Sequence, residues 1–201
     1  SVELVDANGK TDKVQSYFGM RKIALGKDLN GITRIFLNNK PLFMYGPLDQ
    51  GWWPDGLYTA PSDEALQYDL EVTKKLGFNL VRKHVKVEPL RWYYHCDKMG
   101  LLVWQDMPNG GAHVRWPLDG AEIKRSKEES AQFEQEWSAI IRSLQNHPSI
   151  VAWVPFNEAW GQFRTIHWTE RTRKLDPKRL VISASGGNDF GNGDIHDIHQ
   201  Y

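Results

Sequence analysis

Nine consecutive residues carry the strongest chemical signal in the chain: Trp153-Val154-Pro155-Phe156-Asn157-Glu158-Ala159-Trp160-Gly161. An apolar run ends in an amide and a carboxyl, followed by a small residue, an aromatic ring and a glycine. A carboxyl placed there loses hydration. Burial beside rings is expected to raise its pKa and suit it to general-acid work at neutral pH. Asn157 can hydrogen-bond a hydroxyl next to the bond being broken. The competing expectation is that Glu158 lies at the N-terminus of the next helix and complements its dipole.

The ends of other apolar runs carry similar chemistry. Arg82 and His84 close residues 79–85, and an arginine fork holds carboxylates and hydroxyl-bearing ligands. Lys83 alternates to the opposite face of that run and reads as structural. Asp106 closes the next run, in Trp104-Gln105-Asp106-Met107-Pro108. Asp49, Trp52 and Trp53 follow an earlier one, and His199 and Tyr201 stand at the end of the last. The chain has nine Trp beside seven Tyr and eight Phe. Indole faces stack on the C–H faces of sugar rings, so Trp52, Trp53 and Trp116 are candidate platforms, while most of the others are expected in the core.

These side chains need a scaffold, and apolar spacing predicts one. Ser62 caps a helix opened by Asp63 and Glu64. Its apolar face runs Ala65, Tyr68, Val72, Leu76, and Gly77 stops it. Residues 79–85 read as a strand. Pro89 opens a second helix that Gly100 ends, residues 101–104 are a strand, and 109–124 are a long loop. Ser126 with Glu129 makes a capping box before a helix that presents Phe133, Trp137, Ile140, Ile141 and Leu144. Residues 150–156 read as a strand buried on both faces. A helix over 162–175 ends at Asp176-Pro177, and strands follow over 180–184 and from 194 to 201.

A short strand pair over 33–37 and 41–45, around Asn38-Asn39-Lys40, precedes all of this. From residue 41 onward six strands alternate with helices, and right-handed crossovers make such strands parallel. The expected fold class is α/β, a (β/α)8 TIM barrel with about six strands in this chain and so incomplete. Its strand C-termini would share one rim. A doubly wound sheet is the alternative, lowered by the absence of G-x-G-x-x-G and G-x-x-x-x-G-K-[ST] runs. Residues 1–23 differ in kind: Asp6-Ala7-Asn8-Gly9 is a turn, and Val14, Ser16 and Phe18 alternate as in a strand of a preceding all-β domain.

Composition narrows the function. Twenty-five basic and twenty-five acidic side chains cancel, so no electrostatic footprint for nucleic acid or an anionic membrane is present. No apolar run approaches the roughly 20 residues that span a bilayer. Ser1-Val2-Glu3-Leu4 lacks the basic and apolar regions of a signal peptide. The single Cys96 excludes an internal disulfide and a multi-cysteine zinc site. Asp194, His196, Asp197 and His199 invite a metal reading. In a strand, however, His196 and His199 face opposite sides, so no metal is expected there.

The motifs together resemble glycoside hydrolase family 2, the family of β-galactosidases, β-glucuronidases and β-mannosidases. Tyr17-Phe18-Gly19-Met20-Arg21 followed by Phe36-Leu37-Asn38-Asn39-Lys40-Pro41 is similar to its junction between an immunoglobulin-like domain and a barrel. Gly77-Phe78-Asn79-Leu80-Val81-Arg82-Lys83-His84 resembles the second barrel strand. Trp92-Tyr93-Tyr94-His95-Cys96-Asp97-Lys98-Met99-Gly100-Leu101-Leu102-Val103 resembles the next helix and strand. Asn146-His147-Pro148-Ser149-Ile150 with Asn157-Glu158 resembles the acid/base signature. The likeness implies that residues 1–30 end an immunoglobulin-like β-sandwich domain with its linker, and that 31–201 are the N-terminal part of a glycosidase barrel.

It also implies a retaining hydrolase of β-linked glycosides, β-galactosidase-like, that needs no cofactor and takes a carbohydrate as its partner. In that scheme one carboxylic acid protonates the leaving oxygen and a second carboxylate attacks the anomeric carbon. Glu158 matches the acid/base, Asn157 the residue on the sugar 2-hydroxyl, Arg82 an arginine on the second strand, and Tyr201 the tyrosine that supports the nucleophile. The attacking glutamate belongs to the seventh strand and has no counterpart in these residues, so the 201 residues alone are expected not to turn over substrate. His84, Asp106, Trp160, His199, Asp49 and Trp52 complete the expected substrate site. Lys83-His84-Val85-Lys86 departs from both the galactosidase and the mannosidase patterns, which leaves the sugar open. The family's habits favour the periplasm or secretion. A carbohydrate-binding relative without turnover is the alternative.

Overall fold

The structure is a computed structural model and describes residues 1–114 and 120–201. Trp116 lies outside the described residues. The chain opens with an antiparallel pair, β1 (Val2–Val5) and β2 (Thr11–Val14), whose every residue is exposed. A three-stranded antiparallel sheet follows: β3 (Ile23–Lys27), β4 (Thr33–Leu37) and β5 (Lys40–Pro41). Asn38 and Asn39 make the tight β4–β5 turn with φ of +50° and +65°, a conformation that asparagine tolerates well. The strand expected over 41–45 is thus only two residues long, and β3 was not foreseen. The division expected at residue 30 falls in the turn between β3 and β4.

The main sheet is parallel and runs in the order β10–β9–β8–β7–β6. It comprises β6 (Leu48–Asp49), β7 (Leu80–Lys83), β8 (Leu102–Asp106), β9 (Ile150–Val154) and β10 (Leu180–Val181). The helices between them are α1 (Asp63–Lys75), α2 (Leu90–Met99), α3 (Lys127–Leu144) and α4 (Thr165–Leu175). Among the described residues there are five parallel strands rather than six: 194–201 form no ladder. That segment is fastened by isolated bonds instead: Asp194 N donates to Val181 O at 2.7 Å and Gly186 N to Asp197 O at 3.0 Å, while the Asp194 carboxylate accepts from Val181 N at 2.7 Å and from Arg173 at 3.0 Å.

Most helix ends follow the sequence closely, though α4 begins at Thr165 rather than 162, after a left-handed Arg164. The Ser62 hydroxyl accepts from Ala65 N, the Ser126–Glu129 capping box is complete, and Gly100 ends α2 at φ +66°. The face of α1 does not. Leu66 and Leu70 are buried, while Tyr68 and Leu76 are exposed. The helix carries two stripes at four-residue spacing, and its packing against α2 and the sheet selects the more apolar one.

Strand alternation separates two cores. On the outer face, Val81, Val103, Ile150 and Trp153 meet Leu66, Leu70, Trp92, Phe133, Trp137 and Trp168 from the helices. Two of the buried indoles are satisfied: Trp137 Nε1 donates to Thr172 Oγ1 at 2.8 Å and Trp153 Nε1 to Asp176 Oδ2 at 3.0 Å. Truncating either ring to alanine is worth about 3–5 kcal/mol. On the inner face, Leu80, Leu102, Ala152, Val154, Leu180 and Ile182 pack with Ile23, Ile35 and Leu37 of the small sheet. That sheet therefore covers the inner face near the strand N-termini.

The Asn146-His147-Pro148-Ser149 motif sits at that N-terminal end. Asp97 accepts from Ser149 N at 2.8 Å, contacts His147 Nδ1 at 2.7 Å, and accepts from the Tyr17 hydroxyl at 2.6 Å. Arg179 donates to the carbonyls of Gln145, His147 and Ile150 and pairs with Asp176. The motif fixes where β9 begins, and β9 then carries Glu158 at its other end.

Candidate active site

The C-terminal ends of β7, β8 and β9 bring several expected residues together. Leu80, Arg82, Leu102, Trp104 and Asp106 share a face by alternation. Arg82 Nε donates to Asp106 Oδ1 at 3.0 Å and Nη2 to Oδ2 at 2.8 Å, a two-pronged pair with both side chains buried. Nη2 also donates to Asn157 Oδ1 at 2.7 Å, and Nη1 lies 3.2 Å from His199 Nε2. His199 Nδ1 is 2.8 Å from Glu158 Oε1, and the Tyr201 hydroxyl donates to the same oxygen. One hydrogen-bonded set thus joins Arg82, Asp106, Asn157, Glu158, His199 and Tyr201. His84 has Gln50 Nε2 3.4 Å from its Nδ1.

Two further residues adjoin this set and were not singled out as substrate contacts. The Ser185 hydroxyl lies 2.8 Å from His199 Nε2 and donates to Asp197, whose carboxylate is 3.9 Å from Arg82 Nη1. The signal for Ser185 was available: it is the first polar residue beyond the strand-like run 180–184 and precedes Gly186-Gly187. Gly186 (φ +61°) has no room for a Cβ, because the His199 ring packs against it.

Three expected residues lie elsewhere. Asp49 is in register with Lys83, so it faces the helices, and its Oδ2 pairs with Lys83 Nζ at 2.7 Å. Trp52 is exposed and packs edge-on against Tyr58 at 5.1 Å, beside α1. Trp160 reaches the rim but not the hydrogen-bonded set; its ring meets His113 at 4.7 Å. His196 goes to Asp189, apart from His199. Among the described residues, no group of three or more His, Cys, Asp or Glu is placed to hold a metal ion.

The electrostatics revise one expectation. Burial pushes the Glu158 carboxyl up, but hydrogen bonds from Tyr201 and His199 outweigh it and set the group below the ordinary glutamate range. Burial pushes Asp106 above the ordinary aspartate range, with Arg82 and His84 working against that rise. Burial, helped by Arg82, pulls the His84 imidazole below the usual histidine range, against Asp106, Asn157 and Glu158.

Glu158 does not serve the next helix. The N-terminus of α4 is at Thr165, whose N–H is taken by Glu122 Oε1 at 2.6 Å. Instead Glu158 N donates to Ser185 O at 2.8 Å, and Glu158 and Ala159 both hold left-handed backbone, at φ +48° and +61°. Val85 is left-handed as well, at φ +50°, and its N–H donates to Asp106 at 3.2 Å. Each such residue costs about 1–3 kcal/mol, so the surroundings must impose it.

The model for the TIM barrel domain of the glycosyl hydrolases family 2 matches residues 30–198. A β-galactosidase of Vibrio vulnificus is 28% identical over 196 residues, covering 96% of this chain and 18% of that protein. A β-galactosidase of Lactococcus lactis is 28% identical over 198 residues, covering 97% and 19%. The chain thus spans about a fifth of the curated relatives it matches. The structure of a β-D-glucuronidase from Dictyoglomus thermophilum superimposes with a TM-score of 0.72 at 19% identity, over 89% of this chain and 31% of that one. This last likeness is one of fold.

Proposed function

We propose, from the premise that this chain belongs to glycosyl hydrolases family 2 through its TIM barrel domain, that it carries the acid/base side of a retaining hydrolase of β-linked glycosides. The observation that carries the reading is the meeting of Glu158, Asn157, Arg82, Asp106 and His199 in one set at the strand C-termini. Barrel enzymes work at that end because loops and strand ends from several units converge there. Glu158 would protonate the leaving oxygen and then take a proton from the incoming water. Arg82 holds Asn157 Oδ1, which turns the amide donors away from the guanidinium and toward a sugar hydroxyl. Trp160 and His113 offer ring surface beside them. The β1–β2 pair would end a preceding immunoglobulin-like domain, with β3 staying on the barrel side.

An acid must be protonated when it acts, and Glu158 here is held low. The resemblance places the attacking carboxylate on a later strand. At about 5–5.5 Å that like charge would push Glu158 upward, and a sugar in the site would displace the hydroxyl of Tyr201. The depressed Glu158 also favours a second reading, a sugar-binding relative in which the carboxylate only accepts hydrogen bonds.

One experiment separates the two. The protein that carries this chain, taken to the end of its reading frame, is assayed on aryl β-glycosides (galactoside, glucuronide, mannoside, glucoside), with Glu158→Ala alongside. Hydrolysis of one glycoside should fall by about 10²–10⁴-fold in the variant and recover in part with azide. Hydrolysis that survives Glu158→Ala would remove Glu158 from the mechanism. No hydrolysis by the parent, with retained sugar affinity, would select the binding relative.

A further inference from the structure

The loop that carries Glu158 is held from outside the site, by an arginine with no part in the function above. Arg125, just before α3, places Nη2 2.7 Å from Asn109 Oδ1, 2.8 Å from Gly110 O and 2.9 Å from Gly161 O. The first two acceptors belong to the loop after β8 and the third to the loop after β9. The guanidinium lies over the Phe163 ring at 4.6 Å and near Phe133 at 5.7 Å, which fixes its plane. Asn109 Nδ2 also donates to Trp160 O at 2.8 Å, and Gly161 N donates to Ala112 O at 2.9 Å.

At Gly161 the two loops are in such close contact that a Cβ would collide with Gly110 O and with Arg125. On the opposite flank, the buried Gln162 and Asn188 exchange hydrogen bonds of 2.7 and 3.0 Å, which ties the same loop to the one after β10. Glu158 and Ala159, both left-handed, lie in the loop that these clamps hold on both sides.

We propose that Arg125 is a positioning residue for Glu158: by tying the loop after β8 to Gly161 it imposes the left-handed backbone at Glu158 and Ala159, and so aims the carboxyl. The inference rests on the reading of Glu158 as the acid/base. A lysine could reach the acceptors but would not lie flat on Phe163, so only part of the effect would survive Arg125→Lys. Misaiming a catalytic group by an ångström is costly even when the change lies away from the chemistry.

In the protein taken to the end of its reading frame, Arg125→Ala should lower kcat about ten- to a hundredfold while KM stays within roughly twofold. Added guanidinium ion should restore part of the rate, and Arg125→Lys should fall between. An unchanged kcat in Arg125→Ala overturns the proposal, as does a loss that guanidinium does not relieve. Should Arg125→Ala not fold, Asn109→Ala, which removes one anchor, is expected to show the smaller form of the same kcat loss. Amide exchange on the same protein reads the clamp independently of turnover. Faster exchange at Glu158, Trp160 and Gly161 in Arg125→Ala supports it, and unchanged exchange overturns it. A parent that hydrolyses nothing would remove the proposed function and leave the exchange result to decide whether Arg125 holds the loop.

Discussion

Arg82 and Lys83 are adjacent on β7, both cationic and both buried, yet the sheet sends them into networks of different character. Lys83 faces the helices. Its Nζ pairs with Asp49 at 2.7 Å and Glu88 at 2.8 Å and lies 4.4 Å from the Trp92 ring centroid. Lys86 joins Glu88 at 2.9 Å and donates to the carbonyls of Gly51 and Tyr58. Two ammonium groups meet two carboxylates and the set is closed.

Arg82 faces inward and stands among three carboxylates. Asp106 and Asp197 are beside it, and Glu158 is one histidine away. The surplus of acceptors lies at the strand ends, where Glu158 and Tyr201 are open to solvent. A network that only stabilises balances its charges and closes. One left with spare acceptors at an open rim is suited to a ligand rich in hydroxyl donors.

Three changes sharpen or break this comparison. The largest effect is expected from Lys83→Met. It strands Asp49 and leaves Glu88 with Lys86 alone, and breaking a buried pair costs about 3 kcal/mol. The urea midpoint of the 201-residue chain should fall accordingly, while sugar affinity of the whole protein holds. Loss of affinity at unchanged stability would reverse the roles assigned to the two faces.

Next is Arg82→Lys, which keeps the charge but loses the fork that spans Asp106, Asn157 and His199. About 2 kcal/mol of stability should be lost, the scale of hydrogen bonds to charged groups, and sugar affinity should fall with it. A variant that keeps both would show that the fork does not organise the set.

The smallest effect is a pH dependence. His84 is depressed in the folded chain, so the unfolded chain takes up its proton first. Its contribution to stability is therefore full above about pH 6.5, the unfolded value, and falls as pH drops toward the folded value, where it levels off. His84→Gln should flatten that slope in unfolding curves recorded across the window, whereas Lys83→Met should leave it in place. An unchanged slope in His84→Gln would assign the dependence to another group.

Much of this was legible in the order of residues. Arg82, Asp106 and Glu158 were singled out because each ends an apolar run, and Lys83 was assigned to the other face by alternation alone. The misplaced residues share a cause. Asp49 sits in a two-residue strand, too short for alternation to be read from sequence. Trp52 follows in a loop, where no period constrains direction. For α1, two stripes had the same spacing, and the periodic signal could not choose between them.

The sequence by itself determined most helix ends, the parallel alternation and the strand ends that bear polar groups, because caps, glycines and apolar periods act within a few residues. Only the tertiary structure decided the state of Glu158. Local sequence placed a carboxyl at an apolar strand end and argued for a raised pKa. Folding brought His199 and Tyr201 onto it from some forty residues away, and two hydrogen bonds to a carboxylate outweighed its burial. The same holds for the clamp at Arg125 and for Ser185 behind His199. Hydrogen bonds between distant segments depend on where the sheet carries each strand end, and no local period records that.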